Sequence, residues 1–185
     1  MSHGDQRTID AFLPGRSITS LKWRPHLEEL QKDAPIYTPP QEFHHLRYFS
    51  YGGYSGRPLL SVVTPHLPAL EVLELIGLYC VEVCSNSRYY CASHKRHGQE
   101  LGMLSEIPRL RVFILSNALP NNRQSMLSLE ERKAYFPQIF TMCKILQHID
   151  INIRTQKYQR WFRDGSPNGL LFDVDEVLLS SWNIS

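Results

Sequence analysis

Leu70-Glu71-Val72-Leu73-Glu74-Leu75 places apolar side chains at its first, fourth and sixth positions, and three further stretches repeat that frame. They are Leu46-Arg47-Tyr48-Phe49-Ser50-Tyr51, Leu110-Arg111-Val112-Phe113-Ile114-Leu115 and Leu146-Gln147-His148-Ile149-Asp150-Ile151, with a weaker fifth copy in Ile18-Thr19-Ser20-Leu21-Lys22-Trp23. In the four stronger copies another apolar residue stands three places earlier: Phe43, Leu67, Ile107 and Cys143. Side chains alternate with period two along a strand, so positions four and six share one face. Position one and its predecessor then belong to the turn or helix end that delivers the chain into the strand. The copies start at residues 18, 46, 70, 110 and 146. Their spacings are therefore 28, 24, 40 and 36 residues, two of them regular and two requiring insertions.

Between the copies lies material for crossing helices. Ser128-Leu129-Glu130-Glu131 is a capping box: the serine hydroxyl accepts from an early helix amide while the glutamate reaches back. It opens a helical run through Ala134, Phe136, Ile139, Phe140 and Cys143, which Pro137 is expected to kink or shorten. A second helix is expected at 25–32, where Pro25 suits the first turn and Glu28 and Glu29 lie near the positive end. The segment 38–41 reads as an extended connector and 51–56 as a glycine-rich turn. Strand, turn, helix and strand in repetition predict parallel strands with crossover helices on one face. After residue 153 the frame is lost. The turn formers Asp164 to Gly169, followed by the apolar run from Leu170 to Leu179, predict a β-hairpin that closes the end of the core. The organisation is thus an N-terminal extension or cap at 1–17, a repeat region at 18–153 with an insertion around 79–105, and a hairpin cap and tail at 154–185.

With 42% hydrophobic residues the 185-residue chain can bury a continuous core. Its 20 basic and 18 acidic residues are interspersed, and a net +2 gives no electrostatic footprint for nucleic acid or an anionic membrane. Four cysteines are too few for a disulfide-stapled scaffold of this length and are read as reduced thiols. The opening residues MSHGDQRTIDAFLPGRS lack the basic-then-apolar order of a signal peptide. No stretch reaches the roughly 18 consecutive apolar residues of a membrane span. These features lead one to expect a soluble cytoplasmic or nuclear protein.

The strand frame resembles that of the leucine-rich-repeat superfamily, and its irregular spacing resembles the repeat region of fungal F-box-like proteins. Phe162-Arg163-Asp164-Gly165 is similar to the Arg-Asp-Gly hairpin that often follows the last repeat of that family. The resemblance spans about residues 15 to 175 and implies an α/β fold: a short, irregular leucine-rich-repeat solenoid with parallel strands, crossover helices and a C-terminal β-hairpin cap. The ninth repeat position departs from the family, which places Asn or Cys there. Here it holds His26, Tyr54, Leu78, Ala118 and Arg154, so the turns must be built differently. Residues 1–17 show no match to an F-box, so a ubiquitin-ligase adaptor is implied as a partner only if that motif lies elsewhere.

In such a solenoid the residues between the core positions face a concave sheet surface. Tyr48, Val72, Glu74, Ile76, Val112, Ile114, His148 and Asp150 form columns there, with an apolar middle flanked by charge at both ends. This set reads either as a partner-binding surface with a polar rim or as a second core covered by another segment. Val112 to Leu115, a continuous apolar run, suits a strand buried on both sides.

Two other chemistries compete. Cys80, Cys84, Cys91, His94 and His97 supply enough soft ligands for zinc, but without the paired close spacings of zinc modules, and the first two cysteines lie in an apolar stretch. Asp173-Val174-Asp175 after an apolar run is similar to the first motif of haloacid-dehalogenase-type phosphatases, but Glu176 stands where that family has glycine, and too little chain follows for its other motifs. His44 and His45 are expected to point to opposite faces and not to share a metal. Tyr89, Tyr90, Lys95 and Arg96 read as a solvated loop rather than an RNA patch. The sequence therefore predicts a non-enzymatic protein-binding scaffold without cofactor or metal, possible roles in ubiquitin-ligase substrate recognition following from the resemblance alone. The alternative is a metal-dependent hydrolase or phosphatase.

Overall fold

Each strong copy of the frame begins with the same local turn. The amide of its first-position leucine donates to the carbonyl of the apolar residue three places earlier: Leu46 to Phe43 at 3.0 Å, Leu70 to Leu67 at 3.2 Å, Leu110 to Ile107 at 3.3 Å and Leu146 to Cys143 at 3.1 Å. All eight of these side chains are buried. Short 3-10 turns, Gln41–His45, Thr64–His66 and Met103–Glu106, lead into three of these entries. The computed structural model describes residues 17–23, 41–52, 64–76, 102–116, 127–154 and 157–173.

From these entries the chain runs into strands β1 (Ser20–Trp23), β2 (Tyr48–Gly52), β3 (Val72–Ile76), β4 (Val112–Ser116) and β5 (His148–Arg154). Neighbours in sequence are neighbours in the sheet, parallel, and matched frame to frame: Leu21, Phe49, Leu73, Phe113 and Ile149 lie in one row. The entry backbone joins adjacent strands. The carbonyl of Arg47 accepts from the amides of both Glu71 and Val72, and that of Glu71 from Arg111 and Val112. At β5 the direction reverses. β6 (Lys157–Phe162) and β7 (Pro167–Asp173) continue the sheet antiparallel, giving an open mixed α/β sheet of seven described strands with β1 and β7 at its ends.

Positions four and six build the main core on one face, as the frame predicts: Phe49, Tyr51, Leu73, Leu75, Phe113, Leu115, Ile149 and Ile151 pack with Phe43, Leu104, Phe136 and Trp161. Each fully buried Leu, Ile or Phe contributes about 1.5–3 kcal/mol relative to exposure. Helix α1 (Leu129–Met142) joins this core, packing against Trp161 of β6 and the turn Met103–Glu106. Its buried Arg132, Phe136, Ile139 and Phe140 follow helical periodicity, and Phe136 meets Trp161 edge to face with ring centres 5.2 Å apart. The capping box is present in full, Ser128 Oγ accepting from Glu131 N at 3.2 Å and Glu131 Oε2 from Ser128 N at 2.8 Å.

Of the two effects expected of Pro137, shortening does not occur: α1 continues to Met142, nearly to the Cys143 end of the expected run. Burial of Ile139 and Phe140 beyond Pro137 offsets the roughly 3 kcal/mol that an interior proline costs. The turn after β6 is also tighter than Asp164 to Gly169 suggested, because β7 already begins at Pro167. Asp164 Oδ1 accepts from Ser166 N and Oγ, and Gly165 adopts φ 77°, which a side chain would disfavour. The expected helix at 25–32, the connector at 38–40, most of the glycine-rich turn and residues 79–101 of the insertion lie outside the described residues. Among the described residues, no helix is long and apolar enough to cross a membrane.

Candidate functional site

Strand alternation sends positions three, five and seven to the face opposite α1, where the sequence singled out eight residues. Register aligns them in rows. Tyr48, Val72, Val112 and His148 stand beside one another and meet Phe162 of β6; Ser50, Glu74, Ile114 and Asp150 form the next row and meet Arg160. The structure therefore brings the predicted residues together on one surface. It does not leave that surface open. Tyr48, Val72, Glu74, Val112, Ile114, His148 and Asp150 are all buried, and only Ile76 is half-buried. Of the two readings of this face, its burial matches a second core: Tyr48, Val72, Val112, Ile114 and Tyr158 pack as a cluster with Phe172 against it. Parallel strands flanked on both sides carry apolar side chains at successive positions, which is the physical reason for the run from Val112 to Leu115.

Two carboxylates sit within this apolar surface, each with its own partners. Glu74 Oε2 accepts from Tyr48 Oη at 2.6 Å and Ser50 Oγ at 2.5 Å, while Oε1 accepts from Ser116 Oγ at 2.6 Å. Ser116 Oγ also lies 2.8 Å from Tyr158 Oη. One side chain on β3 thereby ties β2 to β4, and through Ser116 to β6. Asp150 is held by Arg160, whose Nε and Nη2 donate to Oδ1 and Oδ2, both at 2.8 Å. Burial alone would raise the Asp150 carboxyl, but the Arg160 bonds and the His148 contact outweigh it and hold it below its ordinary value. His148 Nε2 lies 3.4 Å from Asp150 Oδ2, an electrostatic contact at the outer limit of hydrogen-bond length. The far side of the Arg160 guanidinium stacks over Phe172, 4.7 Å from the ring centre, so one arginine bridges β5, β6 and β7.

Among the described residues these polar groups engage one another. The remaining chemical candidates are dispersed. His44 and His45 are exposed in the turn before β2, not on a strand, and the His44 ring stacks with His66 at 6.3 Å. Cys143 is a buried free thiol pushed up to about 11 by burial, which makes it a core residue rather than a nucleophile. Asp173 is exposed at the end of β7 and pairs with Lys157 at 2.7 Å, while Asp175 lies outside the described residues. So do Cys80, Cys84, Cys91, His94 and His97, and the Tyr89 to Arg96 loop. Among the described residues, no three metal-ligating side chains converge.

Sequence reading missed three residues that organise this region. Tyr158 and Arg160 alternate on β6 with buried Trp161 on the other face, a period-two signal within Lys157-Tyr158-Gln159-Arg160-Trp161. Arg163 is the third. Its Nη1 donates to the Phe140 carbonyl at 2.7 Å and its Nη2 to those of Cys143 at 3.1 Å, Lys144 and Leu146 at 3.1 Å, closing the C-terminus of α1. Comparison with known proteins finds no matching family model, no matching curated protein and no matching solved structure.

Proposed function

We propose that this chain is a leucine-rich-repeat-type solenoid that serves as a protein-binding scaffold. The observation that carries the reading is the alignment of all five frame copies in one in-register parallel sheet, each of the four strong copies entered through the same turn. A stack of this kind displays a broad, rigid surface whose contacts are spread over many residues, which suits protein recognition. Because the middle of the face opposite α1 is buried, the partner contacts its accessible margins: half-buried Ile76 at the C-terminal end of β3 and, at the opposite edge beside His148, Phe162, 41% exposed. A role in ubiquitin-ligase substrate recognition rests on the similarity of the Arg163-Asp164-Gly165 hairpin and on the irregular repeat alone.

The test is affinity capture with the tagged full chain, set against Ile76→Lys and Phe162→Lys variants of unchanged far-UV circular dichroism. A protein enriched by the wild type and reduced at least about tenfold by either variant supports the reading, tenfold being about 1.4 kcal/mol of binding. Recovery of a ligase adaptor would support the F-box-like form. Capture no better than a tag-only control, or equal capture by both variants, overturns the proposed surface.

A further inference from the structure

We draw no further inference here: the strongest candidate, the buried polar cluster of Glu74, His148, Asp150 and Arg160 on the sheet face opposite α1, belongs to the face already described, and nothing in the structure shows what covers it.

Discussion

Arg163 shows how much a single side chain can settle. A helix ends with carbonyls that lack intrahelical partners, and this guanidinium collects those of Phe140 and the cap Cys143, together with Lys144 and Leu146 of the turn into β5, while standing over the Phe140 ring at 5.7 Å. Hydrogen bonds from a charged donor are each worth about 1.5–3 kcal/mol where they are sheltered, and these are partly exposed. Arg163→Ala should therefore lower unfolding stability by about 2 kcal/mol in urea titration. Arg163→Lys should recover less than half of that loss, since an ammonium lacks the planar fork. An unchanged midpoint for Arg163→Ala would contradict the capping role.

Asp150 makes a second prediction at this scale. Removing one partner of a buried ion pair costs about 3–5 kcal/mol, so Asp150→Asn should be strongly destabilising at neutral pH. The folded carboxyl is held below its ordinary value of 3.8, so the stability it contributes is present above that value and is lost as pH falls through and below it. The gap between wild type and Asp150→Asn should consequently narrow on acidification. A gap that stays constant from neutral pH to about pH 2 would show that Asp150 is not ionised and paired in the folded protein.

Among the elements, α1 and the strand frame were the most legible, for different reasons. The capping box Ser128-x-x-Glu131 is a local device, and local hydrogen bonding decides it. Ser128→Ala should cost about 1 kcal/mol, read as a lower thermal midpoint. No measurable change would mean that helix entry is fixed by packing of the Phe136 stripe instead. The frame was legible because positions four and six must share a face once a strand forms, and burial of Phe49, Leu73, Phe113 and Ile149 follows. The apolar spacing through Phe140 pointed to a helix running past Pro137, but not to whether the proline would shorten it, since that depends on tertiary burial of Ile139 and Phe140. The early start of β7 was equally hidden. It depends on Asp164 folding back onto Ser166, which compresses a turn that composition alone made longer.

Across the whole molecule, the sequence identified which residues share the face opposite α1 but left open whether that face is exposed. Period two decides sharing; it carries no information about what lies above the sheet. The polar members gave a partial signal. Glu74 and Asp150 stand among Val72, Val112 and Ile114, and a carboxylate in such company must find donors. For Glu74, Tyr48, Ser50 and Ser116 supply them from strands 24 to 42 residues away, and for Asp150 Arg160 does, a convergence that appears only when the register is known. Two packed faces sharing one sheet also explain why the proposed protein-binding surface is confined to the margins at Ile76 and Phe162. The direct test is urea unfolding, followed by far-UV circular dichroism, of Val112→Asp, which places a carboxylate at a fully buried position between Val72 and His148. The account predicts that the cooperative transition is lost or the stability falls by more than about 4 kcal/mol, as for an unpaired buried charge. A variant with the wild-type spectrum and midpoint would contradict it, and would make this face an open surface.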